Sequence, residues 1–152
     1  MQNAQDAELY LSEEVCALNK YRLKYRKTDD ARFISHLDFV RTITRTFRRA
    51  NLPVKYSQGF NPHMIMTVAL PISVGVISDA EYMEIEFTED VPCGEIVSRL
   101  NENIPLGLII TGARKVSETD TPLSKIAYAK YLVNVEHRGN CDTEKIMQSE
   151  TL

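Results

Sequence analysis

Nowhere in the chain do about 18 apolar residues follow one another, which excludes a membrane-spanning helix. The acidic N-terminus lacks the apolar core of an export signal, so the expected location is the cytoplasm. Cysteine is scarce: Cys16, Cys93 and Cys141 are odd in number and widely scattered. That argues against a disulfide framework and for a reducing compartment. No glycine-rich phosphate cradle is present, so a nucleotide-hydrolase loop is excluded, and no serine–histidine–acid or cysteine–histidine nucleophile motif can be identified. What remains, at 43% hydrophobic and 26% charged residues, is the composition of an ordinary globular domain with at most a fragment of a second.

The formal net charge of −3 conceals an asymmetry. Lys20 to Phe60 holds eleven Lys or Arg against three acids, whereas Asp79 to Glu102 holds eight acids against Arg99 alone. The bulk charge argues against a general polyanion binder. The basic segment argues for a local anionic partner, and a third reading has the two segments attract each other within a subunit or across a dimer.

The basic segment is organised around Arg32 to His63. Ser35 suits a helix N-cap, and Asp38 three residues on imitates a capping box with the shorter acid. At about 100° per residue Val40, Ile43, Thr44, Phe47 and Ala50 form one apolar stripe with Leu37 at its edge. Arg41, Arg45, Arg48 and Arg49 fall on the other side. Asn51 and Pro53 end the helix. Beyond it, Gly59 and Pro62 enforce an irregular loop in Tyr56-Ser57-Gln58-Gly59-Phe60-Asn61-Pro62-His63.

Around this centre the chain alternates. Tyr21, Leu23 and Tyr25 point one way along a strand, and Arg22, Lys24 and Arg26 the other. Short strands are predicted at Leu52–Ser57 and Met64–Leu70, and another at Glu81–Thr88, with Met83, Ile85 and Phe87 opposite Tyr82, Glu84 and Glu86. Pro92 opens a second helix with Ile96 and Leu100 buried, and Leu108–Val116 is again a strand. Glu84 and Glu86 are expected on a solvated sheet edge, where charge discourages aggregation. The order predicts an α+β fold, a ferredoxin-like split βαβ sandwich with an antiparallel sheet and two helices on one face, followed by the start of a second β-α unit. The divisions are residues 1–19 as a peripheral arm or short helix, 20–117 as the ferredoxin-like domain, 118–126 as linker and 127–152 as the partial second unit. That last unit cannot bury its own apolar side, which points to truncation or to completion by a partner.

The phrases Arg32-Phe33-Ile34-Ser35-His36-Leu37-Asp38, Leu52 to His63 and Glu81-Tyr82 together resemble the bacterial radical SAM-linked family, over roughly Tyr21 to Glu136. That family is a domain of uncharacterised function found alone or at the C-terminus of cobalamin-binding radical SAM proteins. The resemblance implies a partner enzyme carrying an iron–sulfur cluster and S-adenosylmethionine. It places no cofactor in this chain, which has no cysteine triplet at cluster-ligating spacing.

From the residues themselves, the expected function is a non-catalytic RNA-binding module, which the resemblance implies is an accessory to a radical SAM enzyme. Arg26, Lys27, Arg32, Arg41, Arg45, Arg48, Arg49 and Lys55 supply cations for phosphates. Ser57, Gln58, Gly59, Asn61 and His63 supply loop contacts, and Tyr56 or Phe60 can stack on a base. A solvated helix face and a self-bonded hairpin loop explain the same residues without a ligand. The alternatives are a protein-docking domain for the radical SAM partner and a metal-independent ribonuclease using His36 or His63. No metal site is expected.

Overall fold

The alternation of Lys20–Lys27 becomes strand β1, with Tyr21, Leu23 and Tyr25 buried and Lys24 and Arg26 exposed. The computed structural model describes residues 19–126 and 128–133. A 3-10 turn at Asp29–Ala31 leads to helix α1 at His36–Arg49, then strands β2 at Met66–Val68 and β3 at Ser78–Glu86. Helix α2 at Cys93–Asn103, strand β4 at Leu108–Lys115 and a second 3-10 turn at Leu123–Lys125 follow. The sheet order is β2-β3-β1-β4, and each neighbouring pair is antiparallel. This is an open antiparallel sheet of the expected ferredoxin-like α+β kind.

Both helices cover one sheet face. Phe39, Ile43 and Phe47 of α1 and Ile96 and Leu100 of α2 join Leu23, Met83, Ile85 and Ile110 of the strands in a single core. Tyr25 stacks on Phe39 at 5.0 Å between ring centroids, and Phe47 meets Phe87 edge-on at 6.3 Å. The inner side of α1 is broader than the expected stripe: Phe39 and Thr46 are buried and Leu37 is 67% exposed. Thr46 can be buried because its hydroxyl donates to Thr42 O within the helix, at 3.0 Å.

The Leu52–Ser57 strand is reduced to two isolated bridges, Val54 to Phe87 and Tyr56 to Met64. Pro53 has no N–H to donate to a continuous ladder. Within the expected linker, Leu123 is buried. Of the partial second β-α unit predicted at 127–152, residues 128–133 form neither helix nor strand, and the rest, like the arm at 1–18, lies outside the described residues. The outer edge of β4 is plugged from α2: Asn101 Oδ1 accepts from Ile110 N and its Nδ2 donates to Ile110 O, each at 2.9 Å. A side-chain amide there stands in for a neighbouring strand and blunts that edge.

Candidate functional site

Helix α1 starts as its sequence dictates. The Ser35 hydroxyl accepts from Asp38 N at 3.2 Å and donates to the Asp38 carboxylate at 2.8 Å. With Phe39, Ile43, Phe47 and Ala50 turned to the core, the helical period turns Arg41, Arg45 and Arg48 away from it. Arg41 pairs with Asp38 at 3.2 Å on the exposed surface, an interaction worth little in water. Arg45 has no carboxylate partner among the described residues. Arg48 Nε donates to Tyr56 OH at 3.4 Å, so the last turn of the helix meets the root of the 57–63 loop.

Arg49 lies on the flank and does structural work. It donates to Asn103 O at 2.6 Å, at the end of α2, while Arg99 of α2 donates to Ala50 O at 2.9 Å and to Asn51 O at 2.6 Å, at the end of α1. Each helix thereby caps orphan carbonyls of the other with a cation, which also suits the negative ends of both helix dipoles. No local sequence pattern announces this exchange, because it depends on how the two helices pack.

The loop is closed by its own ends. Ser57 N donates to His63 O at 2.8 Å, His63 N donates to Ser57 Oγ at 3.1 Å, and Ser57 Oγ lies 2.8 Å from His63 Nδ1. Gln58, Gly59, Phe60, Asn61 and Pro62 project as an exposed tip, with the Phe60 ring fully exposed. Gly59 takes φ +133°, a conformation that side chains disfavour, so the glycine is required by the turn and not by crowding. Lys55 sits at the root, 3.4 Å from Glu86.

The other cations go elsewhere. Arg22, Lys24 and Arg26 face the side of the sheet opposite the helices, so they form no continuous patch with the arginines of α1. There Glu84 accepts from Arg22 Nε at 2.9 Å and pairs with Lys20 at 2.7 Å, and Arg26 pairs with Asp79 at 2.8 Å. Arg22 also donates to Thr121 O at 2.7 Å, and Arg114 and Asp120 form a two-pronged pair at 2.6 and 2.9 Å. The paired guanidinium and the Ser117 N–H hold the Asp120 carboxyl well below the usual carboxylate range. The basic and acidic segments thus attract each other within one subunit, and the 117–126 stretch is fastened over this face. Glu84, expected to be solvated, is 4% exposed.

Lys27 is also buried at 4%, on the same side of β1 as Tyr25, with its ammonium 3.3 Å from Ile34 O. Burial lowers its pKa, and the Glu81 carboxylate partly restores it. Neither Lys27, buried under the helices, nor Arg26, exposed on the opposite sheet face, is brought together with the arginine row of α1. Arg32 remains near the start of α1, paired with Asp29 at 2.7 Å and stacked over the Phe33 ring at 4.6 Å.

His36 opens α1, whereas His63 belongs to the loop whose root meets the end of α1. Nearly the whole helix, about 20 Å of rise, separates them, so they do not form an acid–base pair. Among the described residues no three His, Cys, Asp or Glu side chains gather as metal ligands, and no helix is long and apolar enough to cross a membrane.

The architecture is thus an α+β ferredoxin-like domain whose first helix presents an outward row of arginines ending at an aromatic-tipped loop. Residues 20–151 match the family described as an uncharacterized protein conserved in bacteria (DUF2344), and the chain belongs to that family. No curated protein matches it.

Proposed function

We propose that this chain is a non-catalytic accessory module that binds RNA through the outer face of α1 and the 57–63 loop, in the cytoplasm beside a radical SAM partner enzyme. One observation carries the RNA reading. Arg41, Arg45 and Arg48 share a single exposed face, and the last of them is bonded to the tyrosine that roots a loop with a bare phenylalanine at its tip. Guanidinium groups in a row suit phosphates, and an exposed ring suits an unpaired base. Arg32 flanks this row at its N-terminal end, whereas Lys55, paired with Glu86, points to the opposite face of the sheet with Glu84 and stands outside the row. The partner enzyme is supported by the sequence resemblance alone, over the Tyr56 to His63 run above all.

The test is anisotropy of a fluorescein-labelled RNA over a salt series. Binding weakens steeply with salt, and replacing Arg45 and Arg48 together by alanine lowers the slope of log affinity against log salt by roughly 0.7 to 1 per lost contact. Salt-independent binding, or an unchanged slope in the double variant, contradicts the proposal. Binding to the radical SAM partner that survives nuclease treatment and is lost in the same variant points to protein docking instead.

A further inference from the structure

Resting on that RNA reading, we infer that the ligand is a single-stranded RNA segment laid lengthwise along α1, with a base stacked at each end. The arginines stand four and three residues apart, about 6 and 4.5 Å along the helix axis, which suits successive phosphates of one strand. At the C-terminal end of this row the Phe60 ring is fully exposed. At the N-terminal end, in the segment leading into the helix, Phe33 is 69% exposed with the Arg32 guanidinium over one ring face at 4.6 Å. An arginine already stacked on an aromatic ring extends the platform a base can use. Three guanidinium groups between two bare aromatic rings complement a chain whose charges lie between flat apolar bases. A duplex offers the same phosphates but keeps its bases inside, so it gains nothing from either ring.

The opposite face of the molecule does not offer this. A four-stranded sheet commonly stacks single-stranded bases on its open face. Here that face carries the Arg22–Glu84 and Arg114–Asp120 pairs, Arg22 is fixed to Thr121 O, and Leu123 is buried. The one acid on the helix row, Asp38, is already engaged with Ser35 and Arg41, which limits its repulsion of a phosphate.

The experiment compares a short adenosine-rich RNA single strand with the same strand annealed to its complement, using the full 152-residue chain. The single strand binds at least about tenfold more tightly than the duplex. Phe33→Ala and Phe60→Ala each weaken single-strand binding about tenfold, leaving the salt slope and the duplex affinity unchanged. Both rings are exposed, and unchanged thermal melting of the variants establishes that the fold is intact. Equal or tighter duplex binding, or a loss confined to one of the two rings, overturns the two-ended track while the RNA reading stands. Absence of binding to either RNA overturns both.

Discussion

Glu84→Ala is expected to lower the stability by about 3 kcal/mol, the scale of breaking a buried ion pair from one side. In a domain of this size that lowers the melting midpoint by more than about 10 °C. The carboxylate is 4% exposed, sits 2.7 Å from the Lys20 ammonium and accepts from Arg22, whose own side chain is 14% exposed. Removing it leaves the guanidinium poorly solvated without its counter-charge and loosens its hold on Thr121 O. The pH dependence follows from the same contacts. Burial pushes the Glu84 pKa up, but the hydrogen bonds from Lys20 and Arg22 outweigh it and leave the folded value below the ordinary 4.5. The group's stabilising contribution is therefore complete above that value and is lost as pH falls through the lower folded pKa. Urea midpoints measured at neutral and acid pH check this: Glu84→Gln loses the acid-sensitive part of the wild-type profile along with stability at neutrality. A neutral-pH loss under about 1 kcal/mol places the pair among weak surface interactions and contradicts the burial argument.

Gly107→Ala is expected to cost a similar amount, about 3 kcal/mol, by a different route. Gly107 enters β4 with φ +92°, and an added Cβ meets Ala31 N at 2.6 Å and Ala31 Cβ at 2.7 Å. Neither neighbour can swing aside, because Ala31 is fully buried in the 3-10 turn after β1. The Gly107 carbonyl also accepts from Thr28 N at 2.8 Å and from Thr28 Oγ1 at 3.3 Å. Relief of the overlap must separate the start of β4 from the turn that leads into α1, at the expense of these bonds. Chemical denaturation reads the loss directly, and a variant as stable as the parent contradicts the close approach.

Most of the architecture was legible because each element carries its period in its own residues. Tyr21, Leu23 and Tyr25 announce a strand with one buried face, and the Ser35–Asp38 cap and Asn51 bound α1 within a residue or two. What failed depends on partners distant in sequence. Glu84 reads as a solvated acid until β1 places Lys20 and Arg22 beside it, 64 and 62 residues away in the chain. Arg49 reads as one more member of the basic face, yet the carbonyl it bonds belongs to α2. Lys27 shows a different failing. The alternation that buries Tyr25 buries it too, but its charge led to its being grouped with the exposed cations. The candidate site was legible in part: the outward row of Arg41, Arg45 and Arg48 follows from helical periodicity, whereas its meeting with the loop rests on Arg48 reaching Tyr56.

The central claim is that an anionic guest lies on the helix side of the molecule and not on the paired face of the sheet. Backbone amide NMR shifts recorded while the adenosine-rich single strand is titrated into the labelled chain test it most directly. The expected result is a set of shifts confined to the outer residues of α1, the turn around Phe33 and the 57–63 loop, with Arg22, Lys24 and Arg114 unmoved. Shifts centred on those three open-face residues, or none at saturating RNA, contradict it.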